Sequence, residues 1–238
     1  MKERLGLSVF AAGLVLAVGL GAGLWTVGDA LNTRNAGGVN STGSATIDAT
    51  ADTAVWTIYM NKQDQSVKTA VSGVLTNLDK LKTYLTAGGV GADDITVGGM
   101  TTNAVYGNNG PTGLFEANVN VRVRSKNPEL IAKLNTNINQ LLASTADITL
   151  NTQAPEYYVS NLAELRPQVQ ELAVQDAQKR AKVMVEAIGG QLGDPLKISS
   201  GAIQVLPQDT VEGDYGAYDL STIKKTIRAV VSVTFAVD

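Results

Sequence analysis

The chain contains no cysteine and no histidine in 238 residues. Without cysteine there is no disulfide, no thiolate nucleophile, no haem attachment and no sulfur-based metal site. Without histidine, the usual general base at neutral pH and the commonest transition-metal ligand are missing. Ser-His-Asp and Cys-His hydrolases are thereby excluded, and any catalysis would have to run on Asp, Glu, Lys or Tyr. Aromatic residues make up only 5% of the chain, a poor supply of stacking platforms for bases. A net charge of −3 and a pI near 5.1 provide no basic field for nucleic acid. The expectation is a non-enzymatic protein with no cofactor, no metal and no nucleic-acid partner.

Charge is also absent from Leu5 to Gly28, the longest apolar run in the sequence. About 20 apolar residues suffice to cross the hydrocarbon core as a helix, whereas the apolar region of a cleaved signal is usually about 7–15 residues. Residues 1–30 are therefore expected to be an uncleaved signal anchor rather than a cleaved signal. The best cleavage candidate, Gly28-Asp29-Ala30, is marred by its aspartate. Lys2 and Arg4 are the only basic residues before Arg34, which keeps the N-terminus cytoplasmic. A single-pass inner-membrane protein with an extracytoplasmic, periplasmic main domain follows. Gly13, Ala17 and Gly21 recur at four-residue spacing, as do Gly19 and Gly23. That spacing lets helices pack closely in lipid, so Gly13, Ala17 and Gly21 are candidates for helix packing between copies.

Residues 31–44 are rich in Asn, Gly, Ser and Thr and read as a polar linker. The sequon Asn40-Ser41-Thr42 lies within it and is too short a pattern to carry weight. The main domain is expected over 45–238, in two halves at about 45–145 and 146–238. Ala54 to Met60 reads as a buried strand. From Ser66 to Ala87, Val67, Val71, Val74, Leu78, Leu81 and Leu85 share one helical face, and Gly88-Gly89 ends that helix. Asp94 to Tyr106 is strand-like but interrupted by glycine. Phe115, Ala117, Val119, Val121 and Val123 alternate with polar residues, as in an antiparallel sheet with one wet face. Asn127-Pro128-Glu129 opens a second helix with a cap, an N1 proline and an acidic first turn. It turns Leu130, Leu134, Ile138 and Leu141 inward.

A strand is expected near Asp147 to Tyr158. The long helix from about Asn161 to Ile188 has Leu165, Val169, Leu172, Ala173, Ala177, Arg180, Ala181, Met184 and Ile188 on its packed side. Pro167 kinks or restarts it. Leu196 to Leu206 is strand-like, and Pro207 to Leu220 is an acidic, tyrosine-bearing loop. Ile227, Ala229, Val231, Val233, Phe235 and Val237 alternate strictly at the end. Strands that do not alternate regularly with helices point to an α+β fold with mainly antiparallel sheets and about three helices after the membrane segment.

Ala173-Val174-Gln175-Asp176-Ala177, Arg180-Ala181, Gly189 and Leu192-Gly193 resemble the Ala-rich helix and Gly-x-x-Leu-Gly exit of the SIMPL domain family. Gly43-Ser44-Ala45-Thr46, Asp52 and Ala54 resemble its opening strand, and Gly89-Val90 with Asp94-Ile95 the segment after its first helix. The likeness runs from about Gly38 to the end. The sequence departs at Ser41, Ala51 and Val97, where the family often has glycine, proline and threonine. The resemblance implies an extracytoplasmic α+β domain, a tendency to form homo-oligomers, a stress-related role, and no catalytic residues to carry over.

Candidate interaction residues are few. The acidic loop offers Asp214, Tyr215 and Tyr218 as interface anchors. Arg122 and Arg124 share the polar face of the alternating strand and face either a neighbouring copy or water. Asp93-Asp94 lacks the further ligands a Ca²⁺ site requires and reads as a turn. Asp176, near Lys179 and Arg180, reads as a structural ion pair. The leading expectation is a membrane-anchored, self-associating cell-envelope protein. The alternative is a soluble periplasmic binding or adaptor module for a small ligand or partner protein.

Overall fold

A computed structural model describes residues 37–144, 148–210 and 216–238. In chain order they form β1 (Val39–Thr50), β2 (Thr53–Asp64), α1 (Val67–Ala87), β3 (Ile95–Val97), β4 (Thr101–Gly107), β5 (Gly110–Ser125), α2 (Pro128–Thr136) and α3 (Asn139–Ser144). There follow β6 (Thr149–Thr152), β7 (Glu156–Tyr158), α4 (Leu162–Ala187), β8 (Leu192–Ser200), β9 (Gln204–Pro207) and β10 (Lys224–Val237). The strands join in antiparallel registers, so the α+β class holds. There are four helices among the described residues instead of three, because α2 halts at Asn137 and the chain re-enters as α3. The expected membrane segment, with Gly13, Ala17 and Gly21, lies outside the described residues. Among those described, no helix is long and apolar enough to cross a membrane.

Two compact units cut across the expected sequence halves, and β1, α4 and β10 contribute residues to both. The larger unit takes Ser44–Ala173 and Gly201–Val230. Its six-stranded sheet has the order β3-β5-β2-β6, with β4 also on β5 and β7 also on β2. Strand β2 lies against β5 in unbroken register from Ala54↔Ser125 to Asp64↔Phe115. Period-two alternation then sends Trp56, Ile58 and Met60 to the same face as Ala117, Val119, Val121 and Val123. Helices α1, α2 and α3 complete the core there with Val74, Leu78, Leu81, Leu85, Ile131, Leu134 and Leu141.

Helix α1 starts where the sequence says it does. The Ser66 hydroxyl accepts from the Thr69 N–H at 3.4 Å, filling one donor that a helix N-terminus leaves unpaired. Ser66→Ala is expected to cost about 1 kcal/mol, measured by urea unfolding. The buried stripe differs at its ends. Val67 is exposed, while Ala70 and Asn77 are buried, and the Asn77 amide donates to the Gly73 carbonyl at 2.8 Å. In the next helix Leu130 is only half-buried, and Ile131 occupies the core position instead.

The smaller unit comprises Val174–Ser200, Val231–Asp238 and the described residues up to Gly43. Strand β8 pairs with β10 from Val231↔Ser200 to Val237↔Leu192, with bulges near Phe235. Gly189, at φ 82°, stops α4 in the left-handed conformation that favours glycine. Gln191 and Asp238 then exchange backbone hydrogen bonds at 3.0 Å.

Three expectations change here. Strand β1 begins at Val39, inside the presumed linker, although Val39 to Gly43 carries no apolar alternation that would announce a strand. The strand expected over Leu196 to Leu206 is two strands, β8 and β9, broken at 201–203. Most consequentially, α4 runs through Pro167 unbroken and buries Leu162, Val169, Ala173, Ala177, Ala181 and Val185. Leu172, Arg180, Met184 and Ile188, expected on the packed side, are exposed. A row of alanines at four-residue spacing allows closer approach than the bulkier stripe beside it, and the close row is the one buried.

Candidate functional site

Of the residues singled out in the sequence, Asp214 and Tyr215 lie outside the described residues, as do Gly13, Ala17 and Gly21. Arg122 and Arg124 stand exposed on β5, opposite Thr57 and Val55 of β2. Tyr218 is 40% exposed and forms an isolated bridge with Val205. Tyr158 links these groups. Its hydroxyl donates to Glu156 Oε2 at 2.6 Å, which raises its pKa, and burial adds to the rise. The Arg122 charge opposes the rise and the nearby Tyr218 adds to it. Arg122 and Tyr218 thus belong to one neighbourhood in the larger unit, and Tyr158 is the member that sequence reasoning missed.

The expected acidic loop is not wholly a solvated tip. Its Asp219 carboxylate is 9% exposed and sits 2.8 Å from the Lys225 ammonium, which is fully buried. Lys225 Nζ also donates to the Asp219 carbonyl at 2.6 Å. Ser221 donates to Asp219 Oδ1 through its hydroxyl at 2.6 Å and its N–H at 2.9 Å. The Thr222 hydroxyl donates to Oδ2. Burial by itself would raise the Asp219 pKa. The hydrogen bonds from Lys225, Ser221 and Thr222 outweigh burial and hold the carboxyl well below its ordinary range. Lys225 occupies the inward series Lys225, Ile227, Ala229, Val231, Val233, Phe235. Extending the alternation one step before Ile227 was the available signal, but a lysine there reads as a solvent residue.

A second aspartate fastens the β1–β2 corner. Asp52 accepts from the Ser160 hydroxyl and, at 3.2 Å, from the Ser160 N–H. Burial opposes ionisation at this carboxyl, and the Ser160 and Thr53 hydrogen bonds with the Lys126 charge bring its pKa down. Both carboxylates are consumed in holding loops. Among the described residues no three acidic side chains converge on a metal-sized site. Asp93-Asp94 lies in the 3-10 turn Ala92–Asp94 between α1 and β3.

The surface of the smaller unit is of a different kind. Along the outer side of α4, Val183 is 68% exposed, Met184 43% and Ile188 80%. Strand β8 is exposed from Asp194 onward, and Leu196, at the bulge that falls between Lys197 and Pro195, and Ile198 beyond it are both exposed. An open groove of about 580 Å³ is lined by Asn40, Ser41 and Thr42 of β1 and by Lys179, Arg180, Val183 and Met184 of α4. Arg180 is held by Asp176 at 2.9 Å in an i,i+4 pair. Large apolar side chains exposed in such numbers on one unit are the clearest candidate for function, since exposed apolar surface beyond single scattered residues marks interaction sites.

No curated protein sequence matches the chain. Among solved structures, similarity is slight. A de novo designed protein, Foldit4, is 17% identical over 42% of this chain and 96% of its own, with a TM-score of 0.25. An unknown protein from Galdieria sulphuraria is 13% identical over 77% of this chain and 83% of its own, at 0.23. A hydantoinase/carbamoylase family amidase from Burkholderia ambifaria is 10% identical over 52% of this chain, at 0.27, and only 34% of the amidase is spanned. Scores this low carry no inference about fold or activity. The family comparison is of another order, because the SIMPL family, described as a protein of unknown function (DUF541), matches residues 39–235. The chain therefore belongs to the SIMPL family.

Proposed function

We propose that this SIMPL-domain protein is a non-enzymatic, membrane-anchored component of the cell envelope that self-associates through the apolar surface of its smaller unit. The observation that supports this reading most is the exposed group Val183, Ile188, Leu196 and Ile198 beside the β8 edge. An edge strand presents unpaired N–H and C=O groups and is a template for pairing with another chain. Alongside Asp194, Pro195 and Lys197, the strand exposes the apolar Leu196 and Ile198. The uncharged run Leu5 to Gly28 supplies the anchor, with the N-terminus cytoplasmic and the SIMPL domain outside. A protective, stress-related role fits an assembly at the envelope that has neither cysteine nor histidine to act as a catalyst.

Light scattering on the full chain in mild detergent, with intact-mass analysis of its N-terminus, tests both parts. A discrete oligomer retaining Met1 to Gly28 is expected, and strict monomers would end the proposal. Ile198→Lys and Val183→Glu place charge on the surface without touching the core. They should shift the oligomer to monomer and leave the melting temperature within a few degrees, because exposed substitutions usually change stability by about 0.5 kcal/mol or less.

The groove on the smaller unit favours a second reading, a soluble binding or adaptor module for a small amphiphilic ligand or a partner protein. A processed N-terminus near Leu31, a monomeric mass and a ligand that raises the melting temperature would together select it.

A further inference from the structure

The outer face of the six-stranded sheet carries a small built hollow that self-association does not use. Strand β3 pairs with β5 as far as Val97↔Val121, and β4 resumes at Thr101↔Asn118. Gly98, Gly99 and Met100 therefore stand opposite only Val119 and Asn120, so the edge carries one residue more than β5 there. Bulges of this kind occur where a side chain is re-aimed or pairing is ended. The Gly98 N–H still donates to the Asn120 carbonyl at 2.8 Å. The Asn120 amide lies over Gly98, where any Cβ would overlap its Oδ1. Gly99 faces open space. The result is a recess of about 250 Å³ bordered by Tyr59, Asn61, Thr101, Asn118 and Asn120, with Gly99, Met60 and Val119 completing its wall.

The chemistry of this lining is narrow. No Lys, Arg, Asp or Glu lines the recess itself, and the Glu116 carboxylate bonded to its lining accepts from Asn118 and Gln63, each at 3.2 Å, so the lining offers no cation to a phosphate or a nucleic-acid backbone. The Asn61 and Asn120 amides and the Tyr59 hydroxyl make no side-chain hydrogen bond among the described residues. Each amide presents donors and an acceptor in one plane, matching vicinal hydroxyls that donate and accept together. The Tyr59 ring, 42% exposed, adds a rigid face with an apolar body and a polar tip, suited to the C–H face of a pyranose. The volume is just below the range of about 300–1,000 Å³ typical of small-molecule pockets, which suits one ring of a longer chain. A peptide added to the sheet edge would need alternating pockets for its side chains, and a single recess does not provide them.

We propose that the hollow bordered by Tyr59, Asn61 and Asn120 binds an uncharged glycan, one sugar ring seated on Tyr59 with its hydroxyls on the asparagine amides. The site lies wholly within the larger unit and does not depend on self-association. The test is saturation-transfer NMR and calorimetric titration of the full chain, kept in a detergent without a sugar headgroup, against chitotetraose and maltotetraose. Transfer to ring protons of at least one probe is expected. Tyr59→Ala and Asn120→Ala should each weaken binding about tenfold or more, the effect of losing one anchor. Tyr59→Phe should retain most of it. Both positions are exposed, so unchanged thermal unfolding verifies that the variants fold, and Asn61→Ala provides a third, independent position. No transfer from either probe at about 10 mM, far beyond a millimolar Kd, would overturn the proposal. Binding that survives at wild-type strength in both alanine variants would do so as well.

Discussion

Lys225→Ala is expected to destabilise the folded chain by about 3–5 kcal/mol, because it leaves the Asp219 carboxylate buried without its counter-charge. At about 2–4 °C per kcal/mol for a domain of this size, the melting temperature should fall by about 6–20 °C. Asp219→Ala should cost a similar amount, since the ammonium it abandons is fully buried and Ser221 and Thr222 lose their acceptor. The two changes share one interaction, so the double variant should lose far less than the sum of the singles. Simple additivity would show that the pair does not act as a unit. The pH dependence has a definite sign. The Asp219 pKa is depressed in the folded chain, so its contribution is complete above the unfolded carboxylate value of about 3.9. That contribution is lost as pH falls through the lower folded value. Unfolding midpoints of the native chain and Asp219→Asn should therefore differ steadily at neutral pH and converge in strong acid. A difference that grew on acidification would refute the assignment.

Trp56→Ala should be the most damaging single change in the core of the larger unit, at about 3–5 kcal/mol. The side chain is fully buried in β2, the strand that binds β5, β6 and β7 to one another. Its indole N–H donates to the Gln153 carbonyl at 3.0 Å, so truncation opens a cavity and also orphans an acceptor. Trp56→Phe fills much of the volume and retains the ring, leaving chiefly the unmet carbonyl, at about 1–3 kcal/mol. Urea unfolding distinguishes the two by their midpoints at constant slope. Equal losses for Ala and Phe would place the cost in the hydrogen bond rather than in packing.

Both effects centre on residues of unequal legibility. Trp56 was marked as buried by its run of apolar neighbours from Ala54 to Met60. Lys225 was not, because a lone lysine before an alternating run reads as the solvated start of a strand. Only the arrival of Asp219 on the same face makes its burial tolerable. The interaction candidates fared in the same uneven way. Arg122 and Arg124 were recognisable as surface residues from the alternation of β5. Tyr158, on which the Arg122 charge acts, was not, since it comes from β7, on the far side of β2 from β5. On the smaller unit the apolar pattern puts Met184 and Ile188 in the interior, and the structure exposes both. Apolar periodicity in α4 supports two adjacent stripes, and sequence alone does not say which one a neighbour covers. The hollow at Gly98 was seen only as a glycine interruption, because its depth depends on the register of β5 against two separate strands.

What the sequence determined by itself was local or compositional. It excluded thiol and imidazole chemistry, marked an uncharged N-terminal run, placed most helices and strands by period, and carried the likeness to the SIMPL family. These depend on residue type and near-neighbour spacing, which the chain states directly. The tertiary structure alone decided which stripe of α4 is buried, that a lysine belongs in the core, and where β3 gives way to β4. Those outcomes rest on pairings between residues far apart in sequence, where close packing and charge compensation are settled only when the distant partner arrives.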